Sequence, residues 1–414
     1  MRIPEDLEAV TTAGAEVDPH DAGMGDDAVE RIWRDAVAWY RSGVHPALQV
    51  CVRLEGKVIL DRAIGHARGN GPKDPPGGPS QQATPETPFT IYSAAKAITA
   101  FVVHLLHERG LLDIELPVCE YIPGYERHGK DEITVAHVLA HRAGVPNLPS
   151  EALDLDRADD REFLVGLLCD AKPFARPGRT LAYHAVSGGF ILGEVVNQVT
   201  GRSIREVLAD EILDPLGFRW TNYGVAPEDV CRVGLNYITG PPTLPPLSTL
   251  LTRALGKPLD DLVAATNDDR FVTSVVPAAN TVTTANELSR FYELMRCGGE
   301  LDGVRVMKPE TIRHALTEQS HLEFDFSLGF PSRFSYGLML GAARISLFGG
   351  DTQHAFGHLG FTNILSWTDP QRALSVAVIN NGKPIVYPEL PRFLGLMQRI
   401  TSEAPKVDPS EFAF

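Results

Sequence analysis

The sequence predicts an α/β protein in which one sheet-and-helix layer is assembled from both ends of the chain and a helical segment is inserted between them. Three observations carry this. Strand patterns with period two lie near the start of the chain, helical periodicity fills the middle, and strand patterns followed by a helix close it. No internal repeat breaks that order. At 414 residues, with 43% hydrophobic and 22% charged residues, the chain can build a sizeable core, and wholesale disorder is excluded.

Residues 1–26 are acidic and aperiodic and are expected to form a mobile lead-in. Over 27–40, Val29, Ile32, Trp33, Ala36 and Val37 recur at helical spacing. A β-hairpin is expected over 46–64, with apolar stretches at 48–52 and 58–60 flanking the turn Glu55-Gly56-Lys57. Residues 66–88, rich in Gly and Pro, read as a loop. A short strand, Phe89-Thr90-Ile91, then runs straight into a helix over 93–109. Further helices are expected at 134–141, 160–169, 187–200 and 204–213. The Pro/Leu-rich stretch 239–257 reads as a loop or lid-like excursion, and helical periodicity returns at 285–296. Strands at 336–340, 364–368 and 373–379 and a helix at 388–400 complete the chain. The expected organisation is one unit over 27–414, with an α/β lobe from about 27–110 and 275–414 and a helical lobe from about 111–274.

Charge and cysteine content narrow the function. Lys and Arg number 38 against 53 Asp and Glu, a net charge of −15, which argues against a nucleic-acid partner and against anionic membrane surfaces. The five cysteines, Cys51, Cys119, Cys169, Cys231 and Cys297, are scattered and odd in number. They suit neither a disulfide framework nor a zinc cluster, and a reducing compartment is the simpler expectation. The N-terminus turns acidic at once and has no apolar signal region. The apolar run 94–106 is interrupted by Lys96 and His104 and is too short to span a bilayer. These features point to a cytoplasmic protein without membrane insertion. Its oligomeric state stays open.

Several familiar motifs are absent. There is no G-x-S-x-G elbow and no H-E-x-x-H. Gly124-Tyr125-Glu126-Arg127-His128-Gly129-Lys130 has phosphate-loop spacing, but Asp131 stands where Ser or Thr should ligate magnesium, so the stretch reads as a surface turn. Ser93-Ala94-Ala95-Lys96 remains. Ser93 stands at an expected helix N-terminus, where amide dipoles favour negative charge on its oxygen. Lys96 lies one turn on, on the same face, within an apolar helix whose desolvation lowers a lysine pKa toward that of a useful base. Taken alone, the pair reads equally well as a plain N-cap and a snorkelling lysine.

Two later segments decide between these readings: Leu181-Ala182-Tyr183-His184-Ala185, and His354-Ala355-Phe356-Gly357-His358-Leu359-Gly360. With Ser93/Lys96, then Tyr183, then His358/Gly360 in this order and at these separations, the chain resembles the serine β-lactamase and penicillin-binding superfamily. Within it, the similarity is to the class C-like branch that includes family VIII carboxylesterases. Supporting stretches are 133–139, His141-Arg142-Ala143-Gly144-Val145-Pro146, Thr200-Gly201-Arg202-Ser203 and 303–310, and the resemblance covers about 28–400.

The resemblance implies a β-lactamase/transpeptidase-like fold, an antiparallel sheet flanked by helices with an inserted helical lobe, and roles by position. Ser93 would form an acyl-enzyme, and Lys96 and a Tyr183 phenolate would share proton transfer. The backbone N–H groups of Ser93 and Phe361 would form an oxyanion hole. His358 would hold Tyr183 or the substrate, and Gly360, His184 and Tyr92 would line the substrate. Two positions depart from the family pattern. Ala185 stands where an Asn would hold a β-lactam side chain, and His358 replaces the lysine common in penicillin-recognising members. Both point to a serine carboxylesterase acting on small-molecule esters, without metal or cofactor. An acyltransferase, a weak β-lactamase or D-amino-acid peptidase, and a non-catalytic binding homologue are the alternatives. The pairs His137/His141 and His104/His107 lack a third ligand type nearby in sequence, and His137 and His141 are expected to satisfy loop backbone near Gly144. Acyl-pocket residues are expected on loops that include 240–257 and 323–334.

Overall fold

The computed structural model describes residues 1–25, 27–245, 248, 249, 258–386 and 388–408. Among them, an antiparallel sheet of ten strands is the backbone of the molecule. Its order is Thr11–Ala13, Lys57–Arg68, Ala47–Leu54, Leu374–Asn380, Ile364–Asp369, Phe356–Gly360, Met339–Leu340, Pro331–Phe334 and Ser320–Phe324, with Gln81–Gln82 pairing off the path with Lys57–Arg68. The two chain ends meet at its centre, where Val52 opposes Val376 and Val50 opposes Val378.

Both faces of the sheet are covered, so its central strands are buried at every position. The period-two alternation sorts the side chains. Leu48, Val50, Val52 and Leu54, with Leu374, Val376 and Val378, pack under the helices Ala28–Tyr40 and Leu390–Glu403. Ala47 and Cys51, with Ala377 and Ile379, face the helix Ala285–Arg296 and the helical part of the chain. The helix Ala95–Glu108 runs through that second core and is apolar on all sides, with Lys96 and His104 among its buried residues. It packs on Ser187–Thr200 and against Phe356–Gly360, an interior strand of the sheet.

Most expected helices appear within one or two residues of their expected ends. The expected 204–213 helix is regular only over Ile204–Leu208 and widens into a π turn at Ala209–Leu213. Three expectations change. The lead-in is not free: Thr11–Ala13 adds an edge strand against Lys57–Arg68, Glu16 pairs with Arg62, and Met24 is buried. A short strand needs only three ladder residues and one ion pair to be held, too few to leave a periodic pattern. Half of the loop 323–334 is sheet, because Ser320–Phe324 and Pro331–Phe334 form a hairpin whose register shifts between Ser320 and Glu323. That irregularity, with Leu322 at φ 48°, erases the alternation by which a strand is recognised. Phe356–Gly360 is also a strand, masked in sequence by Gly357 and Gly360. Of the expected excursion 239–257, residues 246, 247 and 250–257 lie outside the described residues. Just before it, Tyr237–Ile238 pairs in parallel with Gly382–Lys383.

Candidate active site

The short strand Phe89–Thr90 pairs with Thr281–Thr283, and the Ile91 amide continues the ladder to the Thr281 carbonyl at 2.9 Å. The chain then turns sharply at Tyr92, whose φ of 50° is left-handed. A non-glycine residue pays about 1–2 kcal/mol for that conformation, so its surroundings must hold it there. They do so through three contacts. The Tyr92 hydroxyl meets Thr266 Oγ1 at 2.9 Å, its ring lies edge-on to Phe361 at 5.7 Å, and the Lys383 nitrogen sits 4.9 Å from its ring centre. A 3₁₀ turn, Tyr92–Ala94, leads into the helix Ala95–Glu108, so half-buried Ser93 stands one turn ahead of that helix.

Lys96 Nζ lies 3.0 Å from Ser93 Oγ and donates to the carbonyls of Ala185 at 2.7 Å and Ala278 at 3.1 Å. Burial lowers its pKa to about 7. The approach to Ala278 depends on Gly189, where a Cβ would overlap the Ala278 backbone. Tyr183 places its hydroxyl in hydrogen-bond contact with Ser93 and its ring centre 4.7 Å from Lys96 Nζ. Its backbone amide donates to Asp325 Oδ1 at 3.0 Å, and the same oxygen accepts from the amides of Ser327 and Leu328. The hairpin turn thus pins the tyrosine segment to the sheet. Burial pushes the Tyr183 hydroxyl well above the usual phenol range, and the Ser93 contact only partly offsets this. Burial thus disfavours the phenolate at Tyr183 and the charged amine at Lys96.

Three histidines surround this pair, all held neutral. His358 Nδ1 lies 2.8 Å from the Leu359 carbonyl, which fixes the proton there and leaves Nε2 as a buried acceptor without a partner among the described residues. Burial first, and Lys96 second, lower its pKa to about 3. Its ring centre is 6.1 Å from that of Tyr183. His184 is fully buried: Nε2 accepts from the Val145 amide, and the ring faces the Ala182 carbonyl. Burial lowers its pKa to about 3. His141 receives the His184 amide on Nδ1 at 3.3 Å, and its ring packs 4.6 Å from Tyr183. Burial and the neighbouring His184, Lys96 and His358 hold it well below the ordinary histidine range.

The structure thus gathers Ser93, Lys96, Tyr183 and His358 in one site. Phe361 follows the strand Phe356–Gly360 and meets Tyr92. Tyr92 and His184 turn inward, where the Tyr92 hydroxyl and His184 Nε2 bond to protein, while the Ala185 side chain is exposed. Gly360 has a steric reason: a Cβ there would overlap the Ile91 carbonyl oxygen. Gly360→Ala is accordingly expected to push the strand end off the Ser93 turn, lowering kcat about 100-fold with little change in far-UV circular dichroism, which steady-state kinetics on a p-nitrophenyl ester would measure.

Sequence reasoning missed His141, Asp325 and the carbonyls of Ala185 and Ala278. The turn Asp325-Phe326-Ser327 carried a signal, an Asx-type turn in an apolar stretch. The carbonyls carried none, since any residue supplies one. Elsewhere, Lys130 of the phosphate-loop-like stretch spends its amine on the carbonyls of Cys169 and Ala171 at 2.7 and 2.6 Å. His137 closes a capping box with Thr134, while His104 and His107 contact the carbonyls of Tyr336 and Leu112. Among the described residues no group of three or more His, Cys, Asp or Glu is placed to hold a metal, and all five cysteines are free thiols. No helix among them is long and apolar enough to cross a membrane.

Residues 26–392 match the beta-lactamase family. The chain is 29% identical over 331 residues to the esterase/beta-lactamase LipL of Mycobacterium tuberculosis, covering 76% of this chain and 74% of LipL. Among solved structures it is similar to a family VIII carboxylesterase, with 26% identity and a TM-score of 0.76 over 90% of this chain and 97% of the other. It is also similar to a penicillin-binding protein homologue from Caulobacter crescentus, with 25% identity and a TM-score of 0.76 over 91% and 98% of the two chains.

Proposed function

The chain belongs to the beta-lactamase family, and on that premise we propose that it is a serine carboxylesterase acting through a Ser93 acyl-enzyme, with residues 27–414 as one catalytic unit. The observation that carries the proposal is the Lys96 amine, 3.0 Å from Ser93 Oγ and with its pKa lowered by burial to about 7. A neutral amine there takes the hydroxyl proton as Oγ attacks the ester carbonyl. The negative charge that develops on the carbonyl oxygen falls to the N–H groups of Ser93 and Phe361. As the tetrahedral intermediate collapses, the C–O bond to the alcohol breaks, and Tyr183, held as a phenol, passes a proton to the leaving oxygen and is reprotonated from Lys96. Water, deprotonated by the same pair, then releases the acid and restores Ser93. Esters fit this site better than β-lactams do. Ala185 presents a methyl group where an amide would be needed, and His358 is neutral and so offers no cation to a substrate carboxylate. The absence of a disulfide among the five cysteines suits a cytoplasmic setting.

The test combines p-nitrophenyl butyrate turnover, nitrocefin turnover and labelling by a fluorophosphonate followed by peptide mass spectrometry. The expected result is rapid ester hydrolysis, nitrocefin turnover lower by at least about 100-fold in kcat/KM, and a single adduct on the peptide carrying Ser93. Nitrocefin turnover matching that of the ester would overturn the ester assignment, and an adduct elsewhere would overturn the nucleophile.

A further inference from the structure

Lys383 is wholly buried, and among the described residues no carboxylate stands within ion-pair distance of it. A lysine in that setting is costly, and a methionine would fill the same space without the desolvation penalty. Burial pulls its pKa well below the ordinary lysine range. Nζ donates to the Asn380 carbonyl at 2.9 Å and to Asn380 Oδ1 at 3.2 Å.

The two groups that Lys383 and Asn380 reach adjoin in sequence the two residues of the proposed oxyanion hole. The Lys383 nitrogen rests over the ring of Tyr92, the residue before Ser93. Asn380 Nδ2 donates to the carbonyl of Thr362 at 2.8 Å, and Thr362 follows Phe361. The Tyr92 and Phe361 rings meet edge-on. The Lys383 amine is thus a short polar link between the left-handed turn that aims the Ser93 amide and the peptide that follows the Phe361 amide. Its own position is fixed by the parallel pairing of Gly382–Lys383 with Tyr237–Ile238.

We propose that Lys383 is a positioning residue which, through Asn380, sets the spacing between the backbone N–H groups of Ser93 and Phe361. This rests on the Ser93 acyl-enzyme reading. It touches no substrate, so its effect belongs to the transition state, when negative charge reaches the carbonyl oxygen, and hardly to substrate binding.

The test is Lys383→Met in the full chain, assayed on an alkyl ester and on the matched thionoester, whose sulfur accepts hydrogen bonds poorly and fits an oxyanion hole badly. Lys383→Met is expected to lower kcat on the oxygen ester about 30-fold with KM within about twofold, and to shrink the oxygen-to-sulfur rate ratio about tenfold. Asn380→Ala should do the same, and the double variant should add little, because both changes cut one link. A merely structural lysine would lower both rates together and leave the ratio untouched, and that result overturns the proposal, as does a variant with wild-type kcat and ratio. If Lys383→Met does not fold, the ratio in Asn380→Ala decides by the same criterion. A wild-type protein that cleaves both esters equally fast would remove the oxyanion hole itself and this proposal with it. A wild type that discriminates, beside a Lys383→Met indistinguishable from it, overturns the role of Lys383 alone.

Discussion

Ser93→Ala is expected to lower kcat on activated esters by about 10⁵-fold, equivalent to about 7 kcal/mol of transition-state stabilisation. The substitution removes the nucleophilic oxygen that both Lys96 and Tyr183 contact. Lys96 keeps its carbonyl partners Ala185 and Ala278, and Tyr183 keeps its backbone tie to Asp325, so the rest of the site stays in place. Residual rate above water should come from the oxyanion amides and substrate positioning. Ser93 is half-buried and loses its contacts to Lys96 and Tyr183, so the melting temperature should move by no more than about 2 °C. Burst kinetics on p-nitrophenyl butyrate with Ser93→Ala, beside thermal melts, make the measurement. A folded variant with wild-type turnover, in a preparation free of contaminating esterase, would remove Ser93 from the reaction.

The sequence carried the local half of this site and little of the long-range half. Ser93 and Lys96 are three residues apart at a helix start, and an apolar helix around a single lysine already implies desolvation. That much is chain-local and readable. Tyr183 and His358 were placed by order and separation within a family resemblance, since nothing in their own neighbourhoods brings them to Ser93. What does so is tertiary: Gly360 lets the strand Phe356–Gly360 pass the Ile91 carbonyl, and Gly189 lets a helix close on Ala278. These glycines look like any others in the sequence. The burial of Tyr183 among His141, Phe334 and Lys96 is likewise a property of the fold. The N-terminal strand and the Ser320–Phe324 hairpin escaped detection because one is three residues long and the other breaks its own alternation at Leu322.

Lys96→Met should lower kcat/KM about 10³- to 10⁴-fold at pH 8 and change the pH profile in a way that identifies the base. In the wild type, the active form has Lys96 neutral. With its pKa near 7, activity should be full above that value and fall tenfold per pH unit below it. The other bases packed around Ser93 cannot produce this limb. His358 and His184 are lowered to about 3, His141 lies well below the ordinary histidine value, and burial moves the Tyr183 hydroxyl upward. A limb near pH 7 that is present in the wild type and absent from the residual activity of Lys96→Met therefore belongs to Lys96. Stability gives an independent reading with a definite sign. The folded pKa is depressed, so the unfolded chain binds more protons between pH 7 and 10.5, and wild-type stability should rise with pH across that window. Lys96→Met lacks this linkage. Its melting temperature should exceed that of the wild type at pH 7, and the gap should close toward pH 10. A limb that survives the substitution, or a gap that does not narrow with pH, would show that Lys96 is not the group that takes the Ser93 proton.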